Sequence, residues 1–174
     1  IHHNYPSQDF NDLMDGVDAV LAKGFINDKE LFITGGSGGG VLTTWSIAHT
    51  DRFAAAVAVN PVINWFSFVL NADMYSYFSQ YWFPGLPWEM PEHYLKHSPI
   101  AHVGKVKTPT MLFTGESDHR TPISETEQYY QALQLRGIDT AMVRVPGASH
   151  ALHTRPSNMM AKPAYIIHWF EKYR

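Results

Sequence analysis

The sequence predicts an α/β fold in which a mainly parallel sheet is flanked by helices. Short segments rich in apolar and β-branched residues, typical of strands, alternate along the chain with longer segments of helical periodicity. Such alternation is typical of parallel strands joined by helices that cover the faces of the sheet. Residues 53–59 are apolar throughout, as expected of a strand buried on both faces. We expect the 174 residues to form a single domain.

The elements of the first half follow from local patterns. Apolar residues recur at helical spacing between Ser7, which could cap the helix, and Gly24, which is placed to end it. Four apolar or β-branched residues, 31–34, then form a short strand, and 41–50 have the length and apolar content of a helix. A second strand, 53–59, follows.

Residues 62–98 have a different character, because aromatic side chains and prolines crowd this segment without one regular amphipathic pattern. Two compatible interpretations remain open. The segment packs as an aromatic-rich excursion on the core, or it forms a wall over a substrate pocket. We expect it to lie near such a pocket.

The second half repeats the alternation. A strand at 108–114 begins beside Pro109, and a helix runs from Thr121–Pro122 to Arg136. A short strand at 141–145 follows. The last helix has one apolar face, and Pro163 fits best in its first turn, the alternative being a kink at that point.

The most informative stretch is Leu31–Trp45, which contains Gly35-Gly36-Ser37-Gly38-Gly39-Gly40 between a predicted strand and a predicted helix. A Gly-x-Ser-x-Gly turn in this context is typical of a nucleophile elbow, which holds its serine at the carboxyl end of the strand. The N–H of Gly38 would stabilise a developing oxyanion. A flexible linker is a poorer explanation at a strand–helix junction, and the Gly-Lys-Ser/Thr ending of a phosphate loop is missing.

Candidate partners for Ser37 follow two later strands: Asp118 after the third and His150 after the fourth. The carboxyl ends of parallel strands meet at one edge, so the three side chains should converge there. The order Ser, Asp, His is that of an α/β-hydrolase, in which the imidazole activates the hydroxyl and the carboxylate orients the imidazole. Glu116 and His153 are competitors for the acid and the base.

Composition excludes several classes of function. The net charge of −3 offers no footprint for nucleic acid or an anionic membrane surface, and no apolar run is long enough to span a bilayer. There is no cysteine and no H-E-x-x-H spacing, so we expect neither a metal nor a cofactor. A cysteine-free chain weakly favours a reducing compartment, and we expect a cytoplasmic location.

The chain resembles the carboxyl-terminal part of the catalytic domain of the prolyl oligopeptidase family of serine peptidases, and within it the acylaminoacyl-peptidase-like branch. The matching stretches are YPSQDFNDLMDGVD, ITGGSGGG, VAVNPVINW, HSPIAHVGKVKTPTMLFTGESDHRTP and PGASHAL.

The resemblance implies Ser37 as nucleophile, Asp118 as acid and His150 as base. It also implies that the substrate side chain before the scissile bond binds near Asn60, Val62 and Trp65.

Two departures from the family pattern carry expectations of their own. The family usually has a bulky residue where this chain has Gly38, which implies a looser turn. Family members also carry further strands ahead of this region, one with a His-Gly-Gly-type loop that supplies a second oxyanion N–H, and an amino-terminal propeller. The chain begins at Ile1 and contains none of these, so we expect a partial domain.

The predicted function is a serine peptidase that hydrolyses short or amino-terminally blocked peptides through an acyl-enzyme. One alternative is a carboxylesterase with the same triad. The other is a catalytically impaired fragment that acts only as an oligomerising module. Because a truncated sheet exposes an edge strand, we expect the isolated chain to be a homo-oligomer and a poor enzyme.

Overall fold

The computed structural model describes all 174 residues and contains one four-stranded sheet with helices on both sides. The strands are β1 (Phe32–Gly36), β2 (Ala55–Val59), β3 (Thr110–Gly115) and β4 (Thr140–Val145). The helices are α1 (Asp9–Leu21), α2 (Gly38–His49), α3 (Trp65–Asn71), α4 (Tyr75–Tyr81), α5 (Pro91–Lys96), α6 (Pro99–His102), α7 (Ile123–Leu135) and α8 (Pro156–Glu171), with a short 3-10 helix at Val103–Lys105.

All strand pairs are parallel, and the strand order β1-β2-β3-β4 is the order of the chain. Ala58 of β2 faces Gly35 of β1 and Leu112 of β3, so the three strands end at nearly the same level. Every residue of β2 and β3 is buried, which explains why β2 is a continuous apolar run in the sequence. The predicted parallel α/β fold is thereby confirmed.

Two buried clusters cover the faces of the sheet. On one face, α2 and α7 pack against β2 and β3 around Ile47, Leu112 and Tyr129. On the other face, α8 packs against β2, with Trp169 near Phe113 in the same cluster. Helices on both faces free the carboxyl ends of the strands to hold a site.

Two local predictions need correction. Pro163 does not begin the last helix: α8 starts at Pro156, and Pro163 lies inside it. Pro156 supplies the first-turn proline instead. The cap of α1 is Gln8 rather than Ser7, and no side chain caps that helix; the Ser7 hydroxyl donates to the carbonyl of Asn4.

Residues 62–98 form three short helices, α3 to α5, around a buried cluster of their own. Asn64 begins this region by accepting hydrogen bonds from the N–H groups of Phe66 and Ser67, which caps α3. The cluster also includes Val41 of α2, so the segment is packed directly against the helix that follows Ser37.

No helix of the structure is both long and apolar enough to cross a membrane.

Candidate active site

Ser37 lies at a sharp turn between β1 and α2, with φ of 58° and ψ of −118°. A non-glycine residue at positive φ is strained, and this conformation exposes the side chain at the carboxyl end of β1. Glycines make the turn possible, since a Cβ on Gly35 would lie 2.3 Å from the carbonyl oxygen of Gly39. A Cβ on Gly40 would lie 2.8 Å from the carbonyl oxygen of Val59. The structure thus contains the predicted elbow, and the close backbone contacts at Gly35 and Gly40 explain why glycine is needed at these two positions.

The structure brings the three predicted side chains together. His150 Nε2 lies 3.1 Å from Ser37 Oγ, and His150 Nδ1 lies 2.8 Å from Asp118 Oδ2. Two hydrogen bonds therefore join a hydroxyl, an imidazole and a carboxylate that are up to 113 positions apart in the chain. Such an array can move a proton from the serine to the histidine while the carboxylate stabilises the imidazolium.

Asp118 is held by four hydrogen bonds in a fully buried position. Its Oδ1 accepts from the N–H groups of Arg120 and Thr121, both at 2.9 Å, and its Oδ2 accepts from the Thr121 hydroxyl at 2.8 Å and from His150. Burial alone would raise the pKa of Asp118, but the hydrogen bonds from His150 and Thr121 outweigh it and hold the pKa below its ordinary value. Asp118 is therefore a carboxylate at neutral pH.

The loop that carries His150 is fixed from two sides. A Cβ on Gly115 would lie 2.3 Å from the carbonyl oxygen of Ala148, so the loops after β3 and β4 are in close contact. The Asn60 amide donates to the carbonyl oxygen of His150 at 3.0 Å. Asn60, expected near the substrate, thus has its side chain under the histidine loop and does not line the cavity described next.

A cavity of about 160 Å³ opens beside Ser37. Its apolar part comes from α2 and from the 62–98 segment, and includes the predicted Val62 and Trp65. Arg120 and Thr121 lie on its other side. The complete apolar lining is Val41, Val62, Trp65, Phe68, Phe78 and Trp82. The aromatic segment therefore both packs on the core and lines a cavity at the candidate nucleophile.

Gly38 is the first residue of α2, and the first N–H groups of a helix have no partner within it. Its N–H is therefore available to an oxyanion near Ser37. The room beside Gly38 is filled by Tyr5, whose hydroxyl donates to the Gly38 carbonyl at 2.8 Å and would lie 3.4 Å from a Cβ on Gly38. Burial raises the pKa of Tyr5, so the hydroxyl keeps its proton.

The competing acid and base lie elsewhere. Glu116 is exposed and pairs with Arg144 at 3.0 Å, and His153 is exposed beyond the loop of His150. The structure contains no group of three or more His, Asp or Glu side chains that could hold a metal ion.

Several residues at the site were not anticipated from the sequence. Arg120 and Thr121 lie two and three residues after Asp118, so their closeness to it in the sequence was a usable signal. Phe78 and Trp82 belong to the aromatic segment that was expected near a pocket, but nothing in the sequence distinguished them from its other aromatic residues. Tyr5 carries no local signal, because only tertiary packing brings it to the turn of Ser37.

The sequence pattern of the prolyl oligopeptidase family matches residues 1–174. The chain is 34% identical over 176 residues to an uncharacterised peptidase of Bacillus subtilis strain 168, covering 99% of this chain and 27% of that protein. It is 36% identical over 175 residues to an acylamino-acid-releasing enzyme of Arabidopsis thaliana, covering 96% of this chain and 23% of that enzyme.

The fold is also similar to that of the acylaminoacyl peptidase of Pyrococcus horikoshii, with a TM-score of 0.93 at 24% identity, over 98% of this chain and 28% of that one. This chain thus spans about a quarter of the length of the relatives it matches. The match of the family pattern over the whole chain confirms the resemblance seen in the elbow and its flanking motifs. This chain belongs to the prolyl oligopeptidase family of peptidases.

Proposed function

We propose that the chain carries the hydrolytic centre of a serine peptidase that cleaves short or amino-terminally blocked peptides. The observation that supports this most directly is the hydrogen-bonded series Ser37–His150–Asp118 at a nucleophile elbow. The names of the relatives support the substrate class, since one is an acylamino-acid-releasing enzyme.

In the proposed reaction, Ser37 Oγ attacks the peptide carbonyl while His150 Nε2 takes its proton. The Gly38 N–H donates to the oxyanion that forms. His150 then gives the proton to the departing amine, which leaves an acyl group on Ser37. A water molecule, deprotonated by His150, attacks this ester, and the carboxylic acid leaves as Ser37 regains its proton. Asp118 stays ionised throughout and holds the imidazole in the required orientation.

Covalent labelling with a fluorophosphonate tests the nucleophile. We expect one labelled site in this chain and complete loss of label in Ser37→Ala, because no other hydroxyl is hydrogen-bonded to His150 Nε2. Ser117→Ala is a matched control, since Ser117 lies in the loop of Asp118 but is exposed and its side chain forms no hydrogen bond there. Label that persists in Ser37→Ala would overturn the assignment.

A comparison of p-nitrophenyl esters with peptide anilides, in a chain whose labelling depends on Ser37, separates a peptidase from a carboxylesterase. We expect the chain to hydrolyse both substrates. Hydrolysis of the anilides would show that the site can cleave an amide bond and release an amine. Hydrolysis of esters alone would favour the carboxylesterase, and no labelling at all would favour a non-catalytic module.

A further inference from the structure

Glu125 is a completely buried carboxyl group on α7 that takes no part in the proposed reaction. Its Oε2 accepts hydrogen bonds from two backbone N–H groups, that of Ile63 at 3.0 Å and that of Asn64 at 2.9 Å. Its Oε1 accepts a short hydrogen bond from the Ser67 hydroxyl. No ion pair compensates its burial, and burial raises the pKa of Glu125 despite these hydrogen bonds. All three donors belong to one short piece of chain, residues 63–67.

This piece of chain forms one wall of the cavity beside Ser37. Val62 and Trp65, which line the cavity, flank the two residues whose N–H groups bind Glu125. Trp65 is anchored further by its own N–H, which donates to Ser98 Oγ at 2.9 Å, and by its indole N–H, which donates to the His97 carbonyl at 2.8 Å. The position of Glu125 therefore helps to decide where Val62 and Trp65 lie.

The opposite side of the cavity is connected to α7, the helix that carries Glu125. Thr121, which bonds Asp118 and lines the cavity, lies two residues before the start of α7, and Glu125 lies in the first turn of that helix. One rigid helical turn thus links the loop of Asp118 to the cavity wall. A buried polar group that is left without its partner is destabilising, so movement of the wall away from Glu125 is unfavourable.

We propose that Glu125 is a positioning residue that sets the distance between the cavity wall and the Ser37–His150–Asp118 site, and so selects bulky apolar acyl groups over small ones. This inference rests on the proposed function, because the cavity is taken to bind the acyl part of the substrate. Glu125 touches no reacting atom. It acts through the backbone of Ile63 and Asn64, which places the side chains of Val62 and Trp65.

Two conservative variants separate reach from charge. In Glu125→Gln the side-chain carbonyl oxygen can accept from both Ile63 and Asn64, because both N–H groups bind one oxygen, and the new NH₂ can donate to Ser67 Oγ. In Glu125→Asp the ionisable carboxyl group is kept, but it is withdrawn by about 1.5 Å, the length of one carbon–carbon bond. If the length of the Glu125 side chain positions the wall, the Gln variant should keep the substrate preference of the parent chain and the Asp variant should lose it. If the acidic group itself is needed, the opposite result is expected.

The first measurement is the ratio of kcat/KM for p-nitrophenyl 3-phenylpropionate to that for p-nitrophenyl acetate. We expect Glu125→Asp to lower this ratio about tenfold, with the acetate rate kept within about threefold, since tenfold corresponds to about 1.4 kcal/mol, within the range for a lost buried hydrogen bond. We expect Glu125→Gln to keep the ratio. Glu127→Gln is the control, since Glu127 lies on the same helix but pairs with Arg144 at the surface.

The second measurement needs no turnover. Amide hydrogen exchange at Ile63 and Asn64 should be as slow in Glu125→Gln as in the parent chain and at least about tenfold faster in Glu125→Asp. An unchanged ester ratio in Glu125→Asp, or equal losses for both esters, would overturn the proposal, and so would unchanged amide exchange. Absence of Ser37-dependent labelling in the parent chain would instead refute the proposed function. The amide exchange measurement would still show whether Glu125 holds the backbone of Ile63 and Asn64 in place.

Discussion

The Thr121 hydroxyl donates to the buried Asp118 carboxylate at 2.8 Å and lies 3.2 Å from His150 Nδ1. It is thus the one side chain that touches both the acid and the base of the proposed triad. Hydrogen bonds to charged groups are stronger than those between neutral groups. Thr121 therefore has an energetic reason to affect the reactivity of Ser37 without contacting it.

We expect Thr121→Val, which keeps the shape of the side chain, to slow fluorophosphonate labelling about tenfold, equivalent to about 1.4 kcal/mol. Thr121→Ser keeps the hydroxyl and should stay within about threefold of the parent rate, under 1 kcal/mol. The measurement is the second-order labelling rate constant at pH 7.5. Equal rates in all three chains would show that the hydroxyl has no part in reactivity.

The pH dependence of labelling follows from the ionisation of two groups. A neutral imidazole is needed to accept the serine proton, so the labelling rate should be higher at pH 8 than at pH 5. Asp118 has its pKa held below the ordinary carboxyl value, so it is already ionised over this range and should add no second step. A rate that is flat from pH 5 to 8, or a second inflection near pH 5, would contradict this description.

At the scale of elements, the elbow makes different demands on neighbouring glycines. A Cβ on Gly35 would lie 2.3 Å from a backbone oxygen of α2, whereas a Cβ on Gly39 would meet nothing within 4 Å. We expect Gly35→Ala to displace the turn, abolish labelling and cost at least about 1–3 kcal/mol of stability. Gly39→Ala, within α2, should keep labelling and gain about 0.5–1 kcal/mol from helix propensity.

Thermal unfolding and labelling, measured on both glycine variants, check this contrast. Destabilisation by Gly39→Ala as large as that by Gly35→Ala would mean that glycine is needed throughout the elbow and that the close approach of strand and helix is not the cause.

We propose that the segment 62–98 influences which substrates fit beside Ser37. Its aromatic side chains line a cavity with no carboxylate, and Arg120 adds a positive charge on the other side. We expect peptide anilides with Phe or Leu before the scissile bond to be cleaved at least about tenfold faster than those with Lys, because a buried cation without a partner is costly. A strong preference for Lys or Arg would overturn this expectation.

The strands and the elbow were predictable from the sequence because their signals are local. The local signals are the apolar run of β2, the apolar centre of β3, the glycines around Ser37, and the turns that carry Asp118 and His150. Each of them occupies only a few consecutive residues. Parallel topology then placed the three side chains at one edge, and the structure brings them within hydrogen-bonding distance.

The remaining features of the site depend on long-range packing. Nothing near Glu125 in the sequence indicates that it accepts hydrogen bonds from residues some 60 positions away. The family resemblance implies that Asn60 lies at the pocket, but in the structure its amide donates to the carbonyl oxygen of His150. Pro163 was expected in the first turn of the last helix because proline is disfavoured in helix interiors, yet it lies inside α8. Tertiary contacts outweigh local preference at these positions.

At the scale of the whole molecule, β1 is an edge strand, paired only with β2. In the chain ahead of it, α1 has no buried residue, and Phe25, between α1 and β1, is 71% exposed. Unpaired strand edges and uncovered apolar surfaces favour association. We propose that the 174-residue chain, taken alone, self-associates through this side, as a dimer or a larger assembly.

Light scattering coupled to size exclusion should therefore give a mass above that of a monomer. Thr34→Lys introduces a charge at an exposed position of β1 and should shift the chain toward the monomer. Gln131→Lys makes the same change at an exposed position of α7 and should leave the mass unchanged. A monomeric parent chain at all concentrations would contradict the proposal.

The strand order β1-β2-β3-β4 also has a consequence for the timing of activity during synthesis. Each of these strands pairs with the strand that precedes it in the chain, so this sheet can form by adding strands to β1 in the order of synthesis. His150 follows β4, so the proposed base can reach Ser37 only after all four of these strands have been synthesised. If Ser37, Asp118 and His150 act as proposed, a nascent chain that stops short of residue 150 lacks the base, and its serine hydroxyl is not activated.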